Sequence, residues 1–413
     1  MKKFFFLSVI LISFSFQLSS AKTRLSGADI SLLPKYEDAG SQYKDENGEP
    51  INNLLDFLYD EGMRAMRVRL FVDPSAFPDN DPNACQDINY IIPLCQDIVN
   101  RGYKLMLDFH YSDTWADPGA QWIPKAWEGL TEDELIEKIH QYTFETLLEL
   151  QLNGITPDFI QPGNEISYGM LWSPYGAPES EQHKTFMGSD KNWNRLGLLL
   201  NSAISACRDA CPEAKIVIHT ERVSQIEVQN NFYNKMKELN VDYDIIGLSY
   251  YPYFHGNLTV LSKALTSLES NFPEKDIMLV ETGFPYAWEV PGSNVPVDYP
   301  YSLEGQNEFA KALVETLIGF ENVTGLFWWW LEYNAYGSSL ENWYNAPLFD
   351  SRTGKATPAL RTICSFGNTA GIEKISSQNF LENNTIYKLN GLTTDDMSLP
   401  GIYIFQGKKI IVR

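Results

Sequence analysis

The chain has 413 residues, a formal charge of −21 at pH 7 and 13% aromatic residues, ten of them Trp. Such an acidic balance argues against nucleic acid, whose phosphates need basic patches to neutralise them. It suits an uncharged polymer, because flat aromatic faces also suit a sugar-binding groove, although most aromatics in any protein pack in the core.

In chain order, residues 1–21 read as an export signal. Lys2 and Lys3 give the positive start, Phe4 to Phe16 the short apolar run, and Ser19 and Ala21 the small residues of a cleavage site. The run is too short to span a bilayer, so the chain is not expected to span a membrane. No cysteine follows it, which argues against a lipid anchor. A secreted protein is expected, held in the periplasm, kept at the cell surface or released. Cys85, Cys95, Cys207, Cys211 and Cys364 remain after the leader. The odd count leaves one thiol unpaired intramolecularly. Cys85 and Cys95 are close enough in sequence to bridge, whereas Cys207 and Cys211 sit one helical turn apart, as a packing pair does.

Eight short apolar runs follow, at residues 25–30, 65–71, 104–110, 159–164, 215–219, 245–250, 276–281 and 323–329. Amphipathic stretches separate them, for example 54–61, 132–152, 194–210 and 305–318. Strands alternating with helices imply a parallel sheet. Eight such units predict an α/β protein of the (β/α)8 TIM-barrel type, over residues 22–365. No glycine-rich loop follows the first strand, so no dinucleotide cofactor is expected. Residues 366–413 change in composition to short strands and turns. This tail is expected to be a small C-terminal β appendage, similar to the β modules of some secreted bacterial proteins, or a plain hairpin.

Barrel chemistry sits at the C-terminal ends of the strands. Polar residues gather there: Arg67 and Arg69, Asp108 and His110, Asn164 and Glu165, His219, Tyr251, Glu281, and Trp329. Two of these ends carry glutamates. Asp158-Phe-Ile-Gln-Pro-Gly-Asn-Glu165 ends the fourth strand, and Asp276-Ile-Met-Leu-Val-Glu281 ends the seventh. A retaining glycosidase needs two carboxyls about 5–5.5 Å apart, one attacking the sugar and one protonating the leaving oxygen. Glu165 is therefore read as acid/base and Glu281 as nucleophile, with Asn164 placed to hold a sugar 2-hydroxyl. A lone glutamate after an apolar run is usually an exposed turn residue; two of them on opposed strands of one barrel outweigh that reading. Glu221 and Glu332 are held in reserve.

The chain resembles glycoside hydrolase family 53, the endo-β-1,4-galactanases. The similarity rests on Gly27-Ala-Asp29, Arg67-Val-Arg69 with Asp73-Pro74, and the block Asp108-Phe-His-Tyr-Ser-Asp-Thr-Trp-Ala-Asp-Pro118. Gly163-Asn-Glu165, Ser249-Tyr-Tyr-Pro252, Val280-Glu-Thr282 and Ser302-Leu-Glu-Gly-Gln306 follow in order. The resemblance implies a retaining endo-hydrolase of β-1,4-galactan, the side chain of pectin, with polysaccharide as its partner and a monomeric state. It places Arg67 beside the nucleophile, where a fixed charge keeps Glu281 ionised, and His110 and Tyr251 in the same pocket, with Tyr251 bonding Glu281. Arg67 as a plain structural ion pair is the alternative.

Asp113, Trp115 and Asp117 are expected to line the substrate groove, with Trp115 or Trp329 as a stacking floor for a galactosyl ring. Either Trp could instead be core. Trp172, Trp288 and Trp343 are further candidates for outer subsites. Two features depart from the family: Trp329-Trp-Leu-Glu-Tyr-Asn stands where Trp-Glu-Pro-Ala-Trp is usual, and the loop from Phe284 lacks the oxygen ligands of a calcium site. No metal is expected. A hydrolase of mannan or β-glucan, or a non-catalytic glycan-binding barrel, are the competing readings; the last predicts a lost carboxylate, and both are present.

Overall fold

The computed structural model describes residues 22–79, 81–186, 190–293, 295–342 and 344–369, and four short strands of the tail. The leader 1–21 lies outside the described residues, as does Trp343.

Eight parallel strands close in sequence order into a barrel. They are β1 (Leu25–Asp29), β2 (Ala65–Leu70), β3 (Lys104–Phe109), β4 (Phe159–Pro162), β5 (Lys215–Thr220), β6 (Ile245–Tyr250), β7 (Asp276–Thr282) and β8 (Val323–Trp328). The expected (β/α)8 barrel is the fold. Closure pairs Gly27 of β1 with Ala65 of β2 on one side and with Phe327 of β8 on the other. A Cβ at Gly27 would stand 2.6 Å from the Phe327 ring, so only glycine admits that ring to the barrel interior.

Helices form where the sequence caps them. Thr131 and Glu134 make a reciprocal capping box at the start of Glu132–Leu152, and Ser302 caps Leu303–Leu317. Their apolar faces pack on the outside of the barrel through residues such as Leu147, Leu150, Phe309 and Leu313. Among the described residues no helix is long and apolar enough to cross a membrane.

The barrel interior is built in two layers by the two-residue period of its strands. Ala65, Met106, Phe159, Val217, Ile245, Met278, Val280 and Phe327 form an apolar plug. Two residues further along the same strands stand Arg67, Asp108, Gln161 and His219, with Ser249 four beyond Ile245; all five are fully buried. The dry plug thus carries a polar layer directly above it, at the strands' C-terminal ends.

Strict alternation along β7 would set Met278, Val280 and Thr282 inside and Glu281 outside. The strand breaks that pattern. Leu248 pairs with Leu279 and the next residue, Ser249, with Glu281, so Val280 is an extra residue in a bulge. The bulge lets both Val280 and Glu281 face inward, the use to which bulges beside functional sites are put.

All five cysteines are unbridged. The suggested Cys85–Cys95 pair does not form, because Cys95 is buried in the main core and Cys85 packs against a separate aromatic cluster. The tail forms its own antiparallel sheet, in the order Thr393–Thr394, Ile386–Lys388, Gly401–Phe405, Lys408–Val412. It is four strands rather than a single hairpin.

Candidate active site

A cavity of about 610 Å³ opens over the polar layer. Glu165, Glu281, Arg67, His110, Asn164, Tyr251, Trp115, Asp117 and Trp329 all line it. Nine of the ten residues singled out from sequence therefore meet at one place.

Arg67 is its electrostatic centre. Its five N–H groups are all spent: Nη1 on Asp29 (3.1 Å) and Glu281 (2.9 Å), Nη2 on Asp108 (2.7 Å) and Asn164 Oδ1 (2.8 Å), Nε on Gln161 (3.3 Å). Burial works against this buried cation, but Asp108, Glu281 and Asp29 together outweigh it and raise its pKa. Arg67 is thus both an ion-pair hub and the partner of Glu281. Tyr251 donates to the other Glu281 oxygen at 3.0 Å.

Glu165 has quite different company. Chain direction reverses at Gly163 (φ 97°), and Glu165 itself adopts φ 49°, ψ 49° ahead of a single turn, Ile166–Tyr168. Its backbone N–H points at His219 Nδ1, 3.3 Å away, and Gln161 Nε2 lies 3.2 Å from the same nitrogen. Asn164 Oδ1 lies 3.0 Å from His219 Nδ1, and Ser249 Oγ lies 2.9 Å from Nε2. Burial and then the Arg67 charge hold His219 well below its ordinary pKa, so the ring is neutral. The Ser249 hydroxyl hydrogen-bonds the Glu165 carboxyl and favours its charged form, and among the described residues no cation pairs with it.

These surroundings separate the two acids. Burial raises both. For Glu281, Arg67 and the Tyr251 hydroxyl oppose the rise. For Glu165, the charges of Glu281 and Glu221 add to burial and push its pKa well above the ordinary carboxylate range. Asp108 and Asp29 add to the rise at Glu281, so both carboxyls stand above their ordinary value, Glu165 the further of the two.

The remaining lining residues are held by their neighbours. His110 Nε2 lies 3.1 Å from Asp108, and its Nδ1 accepts from Ala116 N–H. Asn164 Nδ2 donates to Ala116 O, which fixes the amide. Asp117 accepts from Gly119 N–H at 2.6 Å, and burial raises its pKa. Trp115 donates to Asp81 (2.7 Å) and carries the Arg69 guanidinium 4.5 Å from its ring. Trp329 is half-buried, edge-on to Tyr251, Tyr344 and Trp330.

Asp113 departs from expectation. It is absent from the cavity wall, and its two oxygens accept from Asp73 N–H and Lys125 N–H. Its carboxylate ties two loops together. Trp172 is fully buried and donates to Tyr168 O, a core residue and not an outer subsite. Trp288 is 42% exposed and lies outside the cavity wall.

Sequence reasoning did not place Arg69, Asp81, Trp330, Tyr253, Phe254, His255 and Asn342 on the wall, and it held Glu221 only in reserve. Arg69 was legible as the second arginine of the β2 end. Trp330 was not, because its inward ring depends on a left-handed backbone (φ 53°). Among the described residues no group of three His, Cys, Asp or Glu could hold a metal ion.

The model of glycosyl hydrolase family 53 matches residues 25–363. The arabinogalactan endo-β-1,4-galactanase A of Aspergillus niger is 33% identical over 78% of this chain and 90% of its own length. A family 53 catalytic domain from Ignisphaera aggregans superposes with a TM-score of 0.70 at 31% identity, covering 86% of this chain and 99% of that one. One of two fungal β-1,4-galactanases gives 0.69 at 28%, covering 83% and 99%.

Proposed function

Because the chain belongs to glycosyl hydrolase family 53, and so is a glycoside hydrolase, we propose that it is a secreted endo-β-1,4-galactanase acting by double displacement. Glu281 is the nucleophile. Glu165 is the acid that protonates the leaving oxygen, and then the base that activates water. The carrying observation is the unequal surroundings of two carboxyls on one cavity: Arg67 and Tyr251 bond Glu281, while among the described residues Glu165 forms no ion pair and is raised by Glu281 and Glu221.

Attack on the anomeric carbon needs an ionised Glu281 at the start, and the Arg67 ion pair supplies that state. As the glycosyl–enzyme bond forms, Glu281 loses charge and Glu165 gives up its proton. The electrostatic cause of the raised Glu165 pKa then fades, so Glu165 is ready to take a proton from water in the second step. Asn164, its amide oriented by Arg67 and Ala116, is assigned to the sugar 2-hydroxyl, where a hydrogen bond strengthens as the ring gains positive charge. Trp329 and Trp115 are assigned to the walls against which the apolar face of a galactosyl ring packs, with His110 and Asp117 contacting its hydroxyls. The leader read at 1–21 supports export, and pectic galactan is the substrate this placement favours.

Purified protein given β-1,4-galactan, galactomannan and mixed-linkage glucan tests the reading. Short galactooligosaccharides from the first alone, with retained anomeric configuration by NMR, are expected. Comparable release from either of the other two overturns the substrate assignment, and inverted product overturns the double displacement.

A further inference from the structure

Glu165 pays no obvious local dividend for its backbone. A left-handed conformation is unfavourable for a non-glycine residue, so neighbouring structure must hold the turn that carries the acid. Part of that hold comes from the residues just beyond β5. Ser167, two positions after Glu165, shares a short hydrogen bond with Glu221. Arg222 Nε reaches both groups, Glu221 Oε1 at 2.8 Å and Ser167 Oγ at 2.9 Å. The Arg222 guanidinium lies 3.9 Å from the centre of the Tyr168 ring, on the same turn. Glu221 itself is 7% exposed and lines the cavity with Glu165, and its Oε2 has no hydrogen-bond partner.

We propose, resting on the reading of Glu165 as acid/base, that Glu221 is its positioning residue. Through Ser167 and Arg222 it braces the left-handed turn that aims the Glu165 carboxyl at the leaving oxygen.

The arrangement has the features such a brace needs. It joins two different strand ends, so it fixes the turn relative to the barrel. It uses charge-assisted bonds inside a buried site, which are stronger and more directional than neutral surface bonds. The groups facing Glu221 are Arg222 from its own loop, Asp117 from the loop after β3 and Glu165 from the loop after β4. Burial lifts Glu221 to about 6, against the pull of Arg222 and Ser167, so above that pH its negative charge helps keep the proton on Glu165.

The brace serves proton donation and not nucleophilic attack, which makes it separable from a general stabilising role. kcat/KM is measured on galactan and on a dinitrophenyl β-1,4-galactobioside, whose leaving group departs without a proton. Glu165→Ala, Glu221→Ala and Ser167→Ala are compared in the full chain, each checked by thermal melting. Misaiming the acid by about 1 Å predicts a loss on the order of 10²-fold on galactan for Glu221→Ala. The dinitrophenyl substrate is expected to change by less than about threefold, since nucleophilic attack is untouched. Ser167→Ala removes one hydroxyl and gives the same pattern, and it decides the matter should Glu221→Ala not fold. Equal losses on both substrates, or no loss on either, overturn the brace. If Glu165→Ala itself reduces both substrates equally, the acid/base reading falls instead; if it separates them and the other two variants do not, only the brace falls.

Discussion

The ends of β7 and β4 each carry a glutamate into the same cavity, yet they are opposite environments. Around Glu281 stand Arg67, Asp29, Asp108 and Tyr251, an ionic network centred on Arg67. Around Glu165 stand a neutral His219, the Ser249 hydroxyl and the charges of two other acids. One residue type thereby meets opposite influences: a cation and a hydroxyl restrain the rise in pKa at Glu281, while two further acids add to it at Glu165. Proton affinity is a property of the partners each strand end supplies, and not of the glutamate.

Breaking the comparison outright gives the largest effect. Glu281→Ala is expected to cost 10⁵-fold or more, on the order of losing a nucleophile, on galactan and on the dinitrophenyl substrate alike. Glu165→Ala is expected to cost about 10²–10⁴-fold on galactan, the usual worth of a general acid, with kcat/KM for the activated substrate largely spared. Steady-state kinetics on the two substrates checks this, and identical profiles for the two variants would falsify the division of roles.

Arg67→Lys sharpens the comparison by weakening only the ionic side. Lysine keeps the charge but cannot reach Asp29, Asp108, Asn164, Gln161 and Glu281 together. A fall in kcat/KM on the order of 10²-fold is expected, as for other preorganised charged donors. The pH profile supplies the sign. Activity needs Glu281 ionised and Glu165 protonated, so it is lost as pH falls through the Glu281 pKa and as it rises through that of Glu165. Weakened support from Arg67 raises the Glu281 pKa, so the acid limb should move to higher pH while the alkaline limb stays. An acid limb that stays put would detach Arg67 from Glu281 ionisation.

The smallest effect concerns another buried carboxyl, outside the cavity wall. Glu332 accepts from Leu32 N–H through Oε1, while its Oε2 is unpartnered. Burial, and then Asp29, push its pKa up to about 8, from an ordinary value of 4.5. The folded chain therefore binds a proton that the unfolded chain releases, and stability falls as pH rises from 4.5 through about 8. Glu332→Gln removes that dependence and keeps an acceptor for Leu32. It should be near neutral at pH 5 and raise the melting temperature by a few degrees at pH 9. A variant less stable than the parent at pH 9 would contradict the raised pKa of Glu332.

Most of the candidate site was legible because a barrel turns sequence order into spatial order. Once eight apolar runs close in sequence, strand ends must share one rim, so Arg67, Asn164, Glu165, Tyr251 and Glu281 fall at the same end of the barrel. Asp113 shows where that logic stops. It sits in the same block as Trp115 and Asp117, but loop geometry sends its oxygens to the Asp73 and Lys125 backbone. Nothing in the spacing distinguishes an aspartate facing sugar from one tying loops together.

Periodicity, charge and composition alone determined the strand positions, the parallel barrel and the two glutamates at its rim. Those features follow from local patterns of apolar and polar residues, which the chain carries in one dimension. Only the tertiary structure decided that Glu281 faces inward, because alternation along β7 points it outward and the extra residue at Val280 reverses it. Tertiary structure also decided how far each glutamate's pKa rises, since that depends on Arg67 from β2 and on Glu221 beyond β5, groups brought beside the glutamates only when the sheet closes.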